Sequence, residues 1–393
     1  MKRLLSISTL YPNNNAPRFG TFVARSMEAL AARGDWHVTL INPLGIPPIA
    51  FGKYRNLAAA AISGVEKGVE VYRPVFPLIP RFGVRHNPLI IARSVRKLAR
   101  HLHRQQPFDV VDAQFFYPDG PAAARIASDL GLPWSIKARG SDISYWGGMA
   151  FARKQMIEAG GAATGLLAVS QALARDMAAM GMEPGKITVN YTGLDRDRFR
   201  PLDHPTIRTR LARELGLEIS DPAPLLVSVG ALTARKGQHF VIRSLVNFLD
   251  AQLLLVGHGE DRKRLEDLAM SLKVADRVHF LGSIDHDLLP IILSAADAMV
   301  LPSSHEGLAN AWVEALACGT PLVICDAGGA REIVTSKDAG VIVERTAEGV
   351  GHGIQEVLDN PRQFAAVAAM ADQFSWARNA AQLADYYTRI AAK

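Results

Sequence analysis

The 393-residue chain is 49% hydrophobic and 21% charged, which excludes a disordered chain and leaves room for two domains with full cores. No apolar run approaches the roughly 20 residues of a membrane-spanning helix, and two cysteines, Cys318 and Cys325, make neither a metal site nor a disulfide framework. The net charge of +6 hides an asymmetry: residues 1–200 hold 26 Lys+Arg against 14 Asp+Glu, and residues 201–393 hold 18 against 24, so the two halves should meet different partners.

The start, Met1-Lys2-Arg3-Leu4-Leu5, mimics a secretory leader, but its apolar stretch stops at Pro12-Asn13-Asn14-Asn15, too soon for one. Residues 4–9 read instead as the first strand, and a reducing cytosol is the expected setting. A loop rich in Asn and Pro follows, and Gly20 with Thr21 opens a helix to about residue 32. This strand–glycine–helix unit is a weak phosphate signal, since a full GxGxxG is missing. Residues 36–41 form strand two. Residues 43–88 carry seven prolines and read as a long loop around a strand at 69–72. Such excursions on a rigid scaffold often carry specificity.

Residues 89–106 form an amphipathic helix with Ile91, Val95, Leu98 and Leu102 at helical spacing. Arg93, Arg96, Lys97, Arg100 and Arg104 make its other face basic, and no acidic residue occurs from 81 through 108. The ordinary reading is a helix packed on a sheet with a solvated basic face. That face also suits an anionic membrane surface. Strands follow at 110–113, 134–138, 166–169 and 187–191. The 134–138 strand ends in Arg139-Gly140-Ser141-Asp142, and Ser170 is a good N-cap. Arg200-Pro201-Leu202-Asp203-His204-Pro205 reads as a domain boundary.

In the second half, strands at 225–229, 253–256 and 278–281 lead into loops at Gly230–Gly237, at Gly257-His258-Gly259 and at Gly282-Ser283. Strand–helix alternation implies parallel sheets. The most informative stretch is 298–334. It reads strand, loop, helix, strand, loop, short helix, with the helix from about 308 to 318. Two helix N-termini open there beyond strand carboxyl ends, where backbone N–H groups favour phosphate. Glu306 stands in the loop and Glu314 in the helix, sharing a helix face with Asn310. Carboxylates beside a phosphate site suit sugar or ribose hydroxyls.

The segment PSSHEGLANAWVEALACGTPLVICDAGGAREIV, with Glu306 and Glu314 separated by seven residues, resembles the signature of the family 4 retaining glycosyltransferases. The resemblance extends over nearly the whole chain. It implies an α/β, GT-B fold: two Rossmann-like doubly wound domains facing a cleft. Residues 1–200 would form the acceptor-side domain and 201–373 the donor domain. The final helix, 374–393, would cross back to the first domain. By the same resemblance Glu314 should bind the ribose and Glu306 the donor sugar's hydroxyls. Backbone N–H groups of Gly307, Leu308 and Ala309 should meet the diphosphate or sugar. Gly20 and Thr21 should lie near the diphosphate or acceptor, and Gly257, Gly282 and Ser283 should flank the base.

Sugar transfer from a diphosphate needs charge stabilisation at the leaving group. Asp195-Arg196-Asp197 and Asp285-His286-Asp287 match a metal-binding Asp-x-Asp only by chance, so no metal and no cofactor beyond the nucleotide sugar are expected. Lys236 and Arg235 are the better candidates, a point charge and a planar fork. The family commonly begins this loop Gly-Arg-Leu, where this chain has Gly230-Ala231-Leu232. The family often has His where this chain has Arg139, and a subgroup making cell-surface polysaccharides is similar in that respect. Arg139 could hold phosphate or an acceptor group, and Asp142 could cap the next turn or meet the acceptor.

The expected activity is metal-independent, retaining transfer of a hexose from a UDP- or GDP-sugar to a glycan or polyprenyl-linked acceptor. The expected place is the cytoplasm, peripheral on the inner membrane face, with no nucleic acid among the partners. The alternatives are a degenerate nucleotide-sugar sensor, a sugar-nucleotide epimerase, or a hydrolase using Glu306 and Glu314 at roughly 5–5.5 Å.

Overall fold

The computed structural model describes residues 1–49, 52–78, 81–219, 223–285 and 287–392. His286, the centre of one Asp-x-Asp triplet, lies outside the described residues. The chain forms two compact units, Met1–Gly193 with Trp376–Lys393, and Leu194–Ser375.

The first unit contains β1 (Lys2–Ile7), β2 (Trp36–Ile41), β3 (Leu44–Ile46), β4 (Gly64–Glu66) and β5 (Val69–Tyr72). It continues with β6 (Val75–Pro77), β7 (Val110–Ala113), β8 (Trp134–Ala138), β9 (Gly165–Ala168) and β10 (Ile187–Val189). Eight of these make one sheet in the order β10-β9-β8-β7-β1-β2-β5-β4, and β3 pairs with β6 separately. The large sheet is parallel except for the edge pair β4–β5. Its central strands β7, β8 and β9 are buried on both faces, as a parallel sheet covered by helices requires. Successive side chains enter opposite cores. Leu4 and Val110 pack with Val23, Met27, Leu383 and Tyr387. Their neighbours Leu5 and Val111 pack with Ile91, Val95, Ile126 and Met156.

The basic helix spans Asn87–Gln105, with Ile91, Ala92, Val95 and Ala99 buried. It packs beside the helix Asp119–Leu130. The helix Trp376–Ala391 returns to this unit and lies against Thr21–Ala32. Its Asn379 is 2% exposed. It accepts from Ser26 at 2.8 Å and donates to Asn190 at 2.9 Å and to the Tyr191 carbonyl at 2.6 Å.

The second unit contains β11 (Leu225–Val229), β12 (Gln252–Val256), β13 (Val278–Gly282), β14 (Ala298–Leu301), β15 (Leu322–Cys325) and β16 (Gly340–Val343). They form a parallel sheet in the order β13-β12-β11-β14-β15-β16. In both sheets the order reverses beside the first strand, at β1/β7 and at β11/β14. Open α/β sheets bind ligands at such a reversal, outside the strands' carboxyl ends.

The passage between the units lies at Gly193/Leu194 rather than at residue 200. Leu194 donates its N–H to the Phe374 carbonyl at 2.7 Å. Arg196 pairs with Asp372 at 3.0 Å. Residues 194–203 therefore pack with the second unit. The stretch 200–205 is not a bare linker, because a helix begins at His204 and runs to Leu215.

Candidate functional site

At the carboxyl edge of the second sheet, the loops after β11 and β14 meet. The first passes through a short turn, Ala234–Lys236, to Gly237. Gly237 has φ 76°, and a Cβ there would lie 2.3 Å from the Pro302 carbonyl oxygen, so only glycine lets the loops approach this closely. The Lys236 ammonium sits 2.5 Å from Glu306 Oε1, and the Arg235 guanidinium 3.3 Å from the same oxygen. Arg235 also donates to the His305 carbonyl at 2.6 Å. Arg345 binds both loops, donating to the Pro302 carbonyl at 2.9 Å and to the Ala234 carbonyl at 2.8 Å.

The loop after β15 supports the Glu306 loop from the other side. Gly328 has φ 54°, and a Cβ there would fall 1.8 Å from the Glu306 carbonyl oxygen. The Gly329 N–H donates to the Gly307 carbonyl at 2.8 Å. The helix that follows spans Asn310–Ala317, two residues shorter at its start than the sequence suggests. Leu308 and Ala309 stay in the loop because Ala309 is extended, at φ −69° and ψ 123°. Among the described residues, the N–H groups of Gly307, Leu308 and Ala309 donate no hydrogen bond. They are free for an anion or a sugar oxygen.

Glu314 is half-buried on this helix. Burial pushes its carboxyl up to about 7. Asn310, one turn before it, is exposed.

The loops after β12 and β13 stack onto the first. A Cβ on Gly257, at φ 135°, would lie 2.1 Å from the Gly230 carbonyl oxygen. Gly282 packs on the His258 ring, and the Ser283 N–H donates to His258 Nε2 at 3.0 Å. Thus Gly257, Gly282 and Ser283 form one wall that touches the Gly230 end of the cationic loop.

Three aspartates of the two Asp-x-Asp triplets, Asp195, Asp285 and Asp287, have local partners. Asp195 accepts from the Arg198 N–H at 3.3 Å, and Asp285 from the Asp287 N–H at 3.0 Å. Asp287 pairs with Arg198. Among the described residues, no three or more His, Cys, Asp or Glu side chains group as metal ligands.

In the first unit, the loops after β1, β7 and β8 converge at the sheet reversal. Gly20 has φ 71°, and a Cβ there would lie 2.5 Å from the Leu10 carbonyl carbon, so its glycine is required by a tight turn. Thr21 is exposed at the helix start. The Arg139 guanidinium lies 5.0 Å over the Phe22 ring and donates through Nε to the Gln114 carbonyl at 3.2 Å. A second donor, Nη2, engages the Gln114 side-chain oxygen. Burial pulls Arg139 down to about 10, so it stays charged at neutral pH.

Asp142 is fully buried and accepts from the backbone N–H groups of Phe116, Arg139, Gly140 and Ile143 at 2.8–3.1 Å. It pins the Arg139 loop and is not placed to face an acceptor, which corrects one of the two roles open to it in the sequence. Burial raises its carboxyl, although those four donors oppose the rise.

Two residues of this machinery went unseen in the sequence. Gln114 orients Arg139 and Arg345 joins the cationic loop to the Glu306 loop. An amide and an acid at Gln114 and Asp112, interrupting an otherwise apolar run, were the available sign for the first. Nothing local marks Arg345, whose partners lie 43 and 110 residues away in the two loops it joins.

Comparison with known proteins places these features. Residues 20–198 match the model of glycosyltransferase family 4, and residues 216–374 match that of glycosyl transferases group 1. The chain belongs to the family 4 glycosyltransferases. Its two units are the two Rossmann-like domains of the GT-B fold.

This family 4 glycosyltransferase is 32% identical over 210 residues to the GDP-mannose-dependent alpha-(1-6)-phosphatidylinositol monomannoside mannosyltransferase of Mycolicibacterium smegmatis. The match covers 49% of this chain and 54% of that protein. The chain thus spans about half the length of the first curated relatives it matches. A longer match, 26% identical, covers 90% of the chain and 88% of the putative teichuronic acid biosynthesis glycosyltransferase TuaC of Bacillus subtilis. Among solved structures, Anabaena HepE in complex with UDP superimposes with a TM-score of 0.75 at 20% identity, covering 99% of this chain and 100% of that one.

Proposed function

We propose that this glycosyltransferase moves a hexose, with retention, from a UDP- or GDP-sugar to a glycan or polyprenyl-linked acceptor in cell-surface polysaccharide synthesis. The observation that carries the reading is the cation–carboxylate group at the β11/β14 reversal, beside three unbonded backbone N–H groups. Lys236 and Arg235 take the charge that develops on the departing diphosphate, with no metal required. Glu306 meets the sugar's hydroxyls and Glu314 the ribose diol. Gly257, Gly282 and Ser283 border the base. Arg139, held by Gln114, serves as a further cation for phosphate or an acceptor group, with Gly20 and Thr21 nearby in the first unit. Retention follows from front-face attack, so no protein nucleophile is assigned.

The donor classes are supported by relatives whose names state GDP-mannose and by the UDP in the HepE complex. The polysaccharide role is supported by the likeness to TuaC. No helix among the described residues is long and apolar enough to cross a membrane. Attachment would instead use the exposed Arg93, Lys97 and Arg104 of the helix Asn87–Gln105, attracted to an anionic bilayer.

Time-resolved proton NMR tests the chemistry. With UDP-glucose and GDP-mannose as donors, the sugar first transferred or released should keep the α configuration, and EDTA should not slow it. Initial release of the β anomer, or loss of turnover with EDTA, contradicts the reading.

A further inference from the structure

We propose that Glu306 sets the discrimination between the nucleotide sugar and the nucleoside diphosphate left after transfer, by pairing with Lys236 whenever no sugar is present. The inference rests on the donor-site reading above. Without ligand, Lys236 Nζ and Glu306 Oε1 are 2.5 Å apart, with side chains only 11% and 9% exposed. Arg235 adds a second cation to the same oxygen. The cations needed for a diphosphate are therefore already engaged by a carboxylate of this chain.

The loop that carries that carboxylate is held in place. The Glu306 carbonyl rests against Gly328, and Arg345 ties the loop's base at Pro302 to the Lys236 turn. An incoming diphosphate takes Lys236 from Glu306 and then lies beside a negative charge that has lost its buried partner. A nucleotide sugar offsets this, because its hydroxyls donate hydrogen bonds to the released carboxylate. A nucleoside diphosphate has no such hydroxyls at that position, so the ion pair competes with it at full strength. After transfer, Glu306 recaptures Lys236 and favours release of the product. The geometry makes one carboxylate both a contact for the substrate and a competitor of the product.

The test is calorimetric binding of UDP, GDP, UDP-glucose and GDP-mannose to the wild type, Glu306→Gln and Lys236→Ala. Glu306→Gln keeps the side chain's size and removes its charge. It should bind the preferred nucleoside diphosphate about five- to tenfold more tightly, while the matching nucleotide sugar gains nothing or weakens. Lys236→Ala should weaken both ligands. Unchanged or weaker diphosphate binding by Glu306→Gln, with loss in Lys236→Ala, overturns this inference and leaves the donor site standing. Unaltered binding in Lys236→Ala, or none in the wild type, overturns the donor site and the inference together. Glu306→Ala should repeat the tightening; failure to do so when Gln succeeds would assign the effect to the amide rather than to the lost charge.

Discussion

Glu314 is a side chain whose charge costs stability in the free protein, and the proposed ribose contact would use that charge. Its carboxyl is raised from the ordinary value to about 7 by burial. A group whose folded-state pKa is raised binds its proton more tightly folded than unfolded. Its contribution is present below the unfolded value of about 4.5 and is lost as pH rises through about 7. Glu314→Gln should therefore stabilise the free chain by about 1–3 kcal/mol at pH 8 and by little at pH 5. Paired denaturation curves at the two pH values check this. Asp119 is also raised to about 7 by burial, so the comparison is with the wild type at each pH. In the same window nucleotide-sugar affinity should rise with pH, since the proposed ribose contact needs the ionised carboxylate, and the rise should vanish in Glu314→Gln. The two glutamates were legible because their spacing lies within one loop and helix. Gln114 and Arg345 were not, because Gln114's partner lies 25 residues away in sequence and Arg345's lie 43 and 111 away.

At the scale of elements, the site depends on loops that press backbone against backbone. Gly328 is the tightest of them, with positive φ and no room for a Cβ beside Glu306. Gly328→Ala should lower stability by about 2–4 kcal/mol and displace the Glu306 loop, weakening nucleotide-sugar binding. Gly216→Ala is the control, since it has φ 64° with open space around it, and it should show only the smaller backbone cost. Thermal melts and calorimetry on both variants separate the two effects. The buried strands could be read from the sequence because parallel strands are continuous apolar runs. The helix Ala150–Ala162 was missed, since its apolar residues make no clear stripe and Gly160 and Gly161 weaken its end. The helix His204–Leu215 was missed because Pro205 looked like a linker, although proline is well suited to a helix's first turn.

Across the whole molecule, the chain leaves the first unit at Gly193 and returns at Trp376. The returning helix supplies Leu383, Tyr386, Tyr387 and Ile390 to the first unit's core. Removing residues 376–393 should unfold that unit, and Asn379→Ala should cost it about 2–3 kcal/mol through the stranded partners Ser26 and Asn190. Limited proteolysis would show cleavage within residues 1–193 while 194–375 resists. The charge asymmetry belongs to this scale too. Flotation with anionic vesicles should retain the protein at low salt and release it at high salt, and Arg93→Glu with Lys97→Glu should abolish retention. Salt-independent behaviour, or retention by the double variant, would remove the basic helix from the account.

On the proposed reading the second unit holds a nucleotide sugar at Glu306, Lys236 and Glu314. Its most direct test is calorimetry of a panel of UDP- and GDP-sugars against the wild type and Glu314→Ala. One donor should bind selectively, weakened about tenfold or more by the substitution while the fold persists. Equal binding by both proteins, or no binding of any nucleotide sugar by the wild type, would contradict it.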